Sequence, residues 1–206
     1  AERYINEDLK NYETKILGAE EKIQELELSY YSQLLNSLQE NLDGIMANSI
    51  LIGEIDCFLS FATAASKFNF CKPVFNESNN IQIIQGRHPV IEQNLEDGEI
   101  FIPNDIKLDQ ENQQIMMISG PNMSGKSAIL RQTALIIIMA QIGSYVPAKE
   151  VNIGITDKIF TRVGASDNIS QGESTFMVEM NEAAAILNNL TSKSLILLDE
   201  IGRGTS

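Results

Sequence analysis

The octet Gly120-Pro121-Asn122-Met123-Ser124-Gly125-Lys126-Ser127 sets the frame for everything around it. It fits G-x-x-x-x-G-K-[ST] without a mismatch, and it stands between the apolar run Ile115-Met116-Met117-Ile118 and a segment of helical character that starts at Lys126. Glycines at the two ends let the backbone curl round an anion with its N–H groups facing inward. The helix that follows adds the positive end of its dipole. Lys126 is then placed to reach the β- and γ-phosphates of a nucleotide, and Ser127 to hold a magnesium ion. All eight residues, Pro121, Asn122, Met123 and Ser124 included, become candidate nucleotide-binding positions.

Downstream, Leu195-Ile196-Leu197-Leu198-Asp199-Glu200 reads as four apolar residues of a buried strand closing on two acids. Asp199 at the strand end can hold magnesium, while Glu200, one position on, points differently and can orient or deprotonate an attacking water. An acid pair alone is weak, because acids commonly end strands beside solvent. With the glycine loop upstream it becomes strong. Between the two lies Ser170-Gln171-Gly172-Glu173-Ser174-Thr175-Phe176-Met177, a turn of glycine and hydroxyl residues leading into an apolar helix. Its serines can cap that helix or form a second anion site.

Working outward, residues Lys126 to about Gln141 and Phe176 to Leu190 read as helices. Ile81–Ile84, Ile100–Ile102, Gln114–Ser119, Val151–Ile155, Lys158–Val163 and Leu195–Leu198 read as strands. Strand, glycine loop, helix and a later apolar strand ending in acids is the order of a parallel α/β nucleotide-binding sheet. The front of the chain has another texture. From Asn6 to about Gln39, apolar or aromatic residues fall at Leu9, Tyr12, Ile16, Ala19, Ile23, Leu26 and Tyr30, in alternating steps of three and four along one long helix. A second helix follows a break near Asp43-Gly44 and ends before Lys72-Pro73, because the residue before a proline disfavours helix. The expected organisation is a helical segment over residues 1–72 and an α/β domain over residues 73–206.

Composition narrows the partners. A chain of 206 residues, 43% hydrophobic and 21% charged, can bury a core. Its net charge of -13 argues against a broad nucleic-acid surface on this segment, since neutralising phosphates takes clustered Lys and Arg. The acidity is spread along the chain, and neither an acidic tail nor a basic arm stands out. The longest apolar run, Ala134–Ala140, is about a third of the roughly 20 residues of a membrane span, and the first residues are polar. The expectation is a cytoplasmic protein without a membrane partner. Cys57 and Cys71 match no zinc or redox spacing and read as reduced thiols.

Several stretches together resemble the ATPase domain of the MutS family. They are the glycine loop with Leu130-Arg131-Gln132-Thr133-Ala134, then Gly143-Ser144-Tyr145-Val146-Pro147-Ala148, Ile159-Phe160-Thr161-Arg162-Val163-Gly164-Ala165, the Ser174-Thr175-Phe176-Met177-Val178-Glu179-Met180 turn, and Asp199-Glu200-Ile201-Gly202-Arg203-Gly204-Thr205-Ser206. Gly86-Arg87-His88-Pro89-Val90, Phe101-Ile102-Pro103-Asn104-Asp105 and Ala1-Glu2-Arg3-Tyr4-Ile5 extend the likeness over the whole chain.

The resemblance implies an ABC-type ATPase sheet, truncated here and preceded by long lever helices. In that arrangement two ATPase domains face each other in a homodimer, and Ser174 completes the partner's nucleotide in trans. Phe101 and Ile102 would pack on adenine, Asn122 would lie near the γ-phosphate, and Lys126, Ser127, Asp199 and Glu200 would keep the roles given above, with ATP or ADP and Mg2+ as cofactors. The resemblance further implies that the parent protein binds mismatched double-stranded DNA and engages a downstream mismatch-repair factor. Its mismatch-reading domain would precede Ala1, and its dimerising helices would follow Ser206, so that the piece alone would turn over little ATP. Ala128, Gln171 and Glu173 depart from common family residues, a matter of tuning. The runner-up reading is a MutS paralogue acting in recombination control or ribosome-linked processes without mismatch reading. A third reading makes the segment an interaction module whose acidic helices bind a partner and whose nucleotide site is vestigial.

Overall fold

The computed structural model describes residues 6–96, 98–121, 124–162 and 175–202. The chain divides into two units, Ala1–Phe58 and Leu59–Ser206.

The first unit is helical. α1 runs over Glu7–Glu40, with Asn6 as its N-cap accepting the Asp8 N–H at 3.4 Å and with Glu7 and Asp8 in its first turn, where acids complement the helix dipole. The apolar seam is present along it, and its large side chains from Leu9 to Leu38 are exposed. α2 spans Leu42–Phe68 and so crosses the limit between the units. The interruption falls at Asn41, a little before the Asp43-Gly44 break that the sequence suggested. Asn41 leaves helical geometry and its side-chain amide donates to the Ser37 carbonyl at 3.0 Å. Gly44 is absorbed inside α2, at a cost of only about 1 kcal/mol relative to alanine. Among the described helices α2 is the one long and apolar enough to cross a membrane. Glu54 and Asp56 sit in its middle, however, and a carboxylate at the centre of a bilayer helix costs about 3 kcal/mol.

The second unit is mixed α/β. β1 (Val74–Asn76), β2 (Ile81–Gly86), β3 (Asn104–Leu108) and β4 (Glu150–Gly154) form one sheet in the order β1-β4-β2-β3. The β1–β4 pair is parallel, whereas β2 pairs antiparallel with both β3 and β4. β5 (Lys158–Arg162) and β6 (Ser194–Leu198) form a separate parallel pair, in register from Lys158 opposite Ser194 to Arg162 opposite Leu198. Two further helices are α3 (Lys126–Gln141) and α4 (Thr175–Asn189). The period of two is clear in β2, where Ile81 and Ile83 are buried and Gln82 is exposed. On β4 the buried pair is Val151 and Ile153. Those four side chains, with Ile106 of β3, meet Ala134, Ile136, Ile137 and Ala140 of α3 in one core that also takes in Leu195 and Leu197 of β6. Burying each of the isoleucines and leucines stabilises the fold by about 1.5–3 kcal/mol. α3 touches both β2 and β6, and so joins the two sheets. At the end of β4, a Cβ on Gly154 would lie 1.7 Å from the Ser78 carbonyl oxygen, so only glycine fits there.

Three expectations are corrected. The single parallel sheet is, among the described residues, a mainly antiparallel four-stranded sheet and a parallel pair. Gln114–Ser119 and Ile100–Ile102 are not strands. Ile115 and Met117 are 82% and 90% exposed, while Met116 packs on the core, so the alternation of a half-buried strand is there. What is missing is a neighbour, because no strand among the described residues pairs with this segment and a strand exists only as one member of a ladder. Finally, β6 is not buried on both faces. Leu195 and Leu197 face α3, and Ile196 and Leu198 are exposed.

Candidate functional site

The glycine loop leads straight into α3. Gly125 occupies the N-cap in the left-handed region, φ 87°, which is open to glycine at no steric cost. Gly125 has no side chain with which to cap this helix, and no cap hydrogen bond to its first turn is made among the described residues. Its first N–H groups therefore lack the serine or aspartate acceptor that many helices supply, an arrangement that can receive an anion. Lys126 folds back along the loop, its ammonium donating to the carbonyls of Gly120 at 2.7 Å and Pro121 at 3.1 Å. Ser124 N–H donates to Pro121 C=O at 3.3 Å, which closes the turn.

One residue further along the helix, the Ser127 hydroxyl donates to Asp199 Oδ2. That contact joins the first turn of α3 to the end of β6. The Asp199 N–H in turn donates to the carbonyl of Arg162 at 2.7 Å, continuing the ladder one step past β6. Glu200 follows in the left-handed region, φ 52°, a conformation that costs a non-glycine residue about 1–3 kcal/mol and clusters at functional sites. Ser127 Oγ and Asp199 Oδ2 are two hard oxygen donors on one spot, the set magnesium accepts when phosphates and waters supply the rest.

Of the residues singled out in the sequence, Gly120, Pro121, Ser124, Gly125, Lys126, Ser127, Asp199 and Glu200 come together at the loop and the end of β6. Phe101 is half-buried and Ile102 is exposed just before β3, and no hydrogen bond among the described residues ties either to the loop. Asn122, Met123 and Ser174 lie outside the described residues, as do Gln171, Glu173 and Arg203–Ser206.

The structure adds side chains that motif reading passed over. Glu179 of α4 is 3% exposed and its carboxylate accepts the Gly202 N–H. Glu182, three residues on, forms an ion pair with Arg162 at 2.7 Å, off the axis of the N–H and hence a charge contact more than a directed hydrogen bond. A buried carboxylate in an apolar helix is the signal that could have marked Glu179. His88 is 6% exposed, and its Nδ1 accepts the N–H groups of Val90 and Ile91 at 3.3 Å each. Burial, then the positive charge of Arg131 on α3, holds its pKa below 6.5. Cys57 and Cys71 are free, and burial pushes the Cys71 thiol up.

Comparison with known sequences decides the family. Residues 116–206, from the segment ahead of the loop through both acids, match the family model described as MutS domain V. Proteins called DNA mismatch repair protein MutS from Christiangramia forsetii, Parabacteroides distasonis and Phocaeicola vulgatus are 61%, 64% and 61% identical to the chain over all 206 residues. This chain belongs to the MutS family. It spans 24% of the length of each of those MutS relatives. The MutS domain V match covers the loop, α3, β5, α4 and β6, the elements that carry Lys126, Ser127, Glu179, Asp199 and Glu200. The MutS likeness at whole-chain length also takes in α1 and α2, where no motif residue stands.

Proposed function

We propose that this chain carries the nucleotide site of a DNA mismatch-repair ATPase, and that ATP binding and hydrolysis at Gly120–Ser127 control the parent protein's hold on mismatched duplex DNA and its conversion to a sliding clamp. The observation that carries the reading is the Ser127–Asp199 hydrogen bond, which brings the helix-capping loop and the acid pair to one place. The names of the relatives favour mismatch repair over the paralogue reading.

In this reading the N–H groups at the head of α3 and the Lys126 ammonium receive the phosphates, with Lys126 exchanging its two carbonyl acceptors for phosphate oxygens and absorbing the charge that develops on transfer. Ser127 and Asp199 would hold magnesium, which when bound shields the β- and γ-oxygens. Glu200 orients the attacking water and takes its proton. By resemblance, Phe101 and Ile102 pack on adenine, Asn122 lies near the γ-phosphate, and Ser174 serves the facing subunit of a homodimer whose product engages a downstream repair factor. In this reading residues 73–206 are an ABC-type ATPase domain and residues 1–72 a lever segment, in a cytoplasmic protein.

Titration with a fluorescent ATP analogue, with and without magnesium, tests the site. Lys126→Ala should weaken binding at least about tenfold. In the full gene product, Glu200→Gln should bind nucleotide normally and lose turnover by about a hundredfold or more. Unchanged binding in the lysine variant would overturn the reading.

A further inference from the structure

α4 begins one residue after Ser174, and it is tied at two points about one helical turn apart, once to the segment that follows the acid pair and once to the end of β5 beside it. Glu179 accepts the Gly202 N–H, and Glu182 pairs with Arg162. Both ties end next to the acids. The Arg162 carbonyl receives the Asp199 N–H, and Gly202 is two residues beyond Glu200. Between those anchors the chain turns through two left-handed residues, Glu200 at φ 52° and Gly202 at φ 91°. A non-glycine residue stays in that region only where its surroundings hold it. Glu179 has the means to do so. It is 3% exposed, so its carboxylate is shielded from water, and a charged acceptor on a backbone N–H makes a strong directed bond.

We propose that Glu179 is a positioning residue for Glu200: by holding the Gly202 N–H it fixes the left-handed turn and ties α4 to the chain that follows the water-directing acid. This inference rests on the ATPase reading above.

The test uses the full gene product and compares Glu179→Gln, which keeps an acceptor oxygen, with Glu179→Ala, which has none. Nucleotide dissociation constants and kcat at saturating ATP are measured for both, beside wild type and Lys126→Ala. Glu179→Ala should lose about a hundredfold in kcat with binding within about twofold of wild type, the size expected when a group is misplaced by about 1 Å. Glu179→Gln should recover most of that loss. Wild-type kcat in Glu179→Ala overturns the inference, and so does a joint loss of binding and kcat in both variants, which would mean a purely structural role. If wild type itself binds or hydrolyses nothing and Lys126→Ala matches it, the ATPase reading falls and this inference with it. A Lys126-dependent wild type beside an unimpaired Glu179→Ala sinks only the inference.

Discussion

Ser127 and Asp199 stand 72 residues apart in sequence and share a hydrogen bond. Both were legible beforehand because each belongs to a contiguous motif whose chemistry fixes the residue type. Glu179 stands inside one of the quoted stretches, but its task was not legible there, since its partner is a backbone N–H, which nearly every residue possesses. His88 shows the same limit. Its sequence neighbours, Arg87 and Pro89, say nothing of burial, yet the folded chain encloses it and sets Arg131 near enough to oppose its charging. A native pKa held below 6.5 makes the folded state the weaker proton binder. The stability this confers is therefore present above about pH 6.5 and lost as pH falls from there through the native value. Urea unfolding at about pH 7 and about pH 5 should show that loss. In His88→Asn, whose side-chain oxygen can still accept the two N–H groups, the pH dependence should flatten. Equal slopes in the two proteins would refute the assignment.

Elements separate into those that local pattern dictates and those that need a neighbour. α1, α3 and α4 lie within a residue or two of the expected limits, because periodicity, an N-cap asparagine and a glycine before Lys126 are all local signals. Gln114–Ser119 has the apolar content of a strand and lacks a ladder, and nothing in its own residues could announce that. The face of α3 toward the sheets holds a further surprise. Gln132 has no exposure, and neither its oxygen nor its nitrogen has a hydrogen-bond partner among the described residues. A buried amide left unpaired costs about 1–3 kcal/mol. Gln132→Met, close in volume and without those polar atoms, should raise the unfolding free energy by about 1–3 kcal/mol, read as a higher denaturant midpoint. A lowered midpoint would mean that the amide is satisfied in solution.

At the scale of the whole molecule, charge is the dominant feature. With 28 acidic against 15 basic side chains, the chain repels a polyanion over most of its surface. Added alone to labelled duplex DNA, matched or mismatched, at about 0.15 M salt it should give no change in anisotropy at micromolar concentration. Tight, salt-sensitive binding by this segment would contradict the view that DNA is gripped elsewhere in the parent protein. α1 supplies the remaining consequence. Its 34 residues make a rod about 50 Å long. Turning such a rod by about 5° at its foot carries the tip through about 4 Å, more than a hydrogen bond can stretch. A small angular change at one end is thereby enough to make or break contacts at the other.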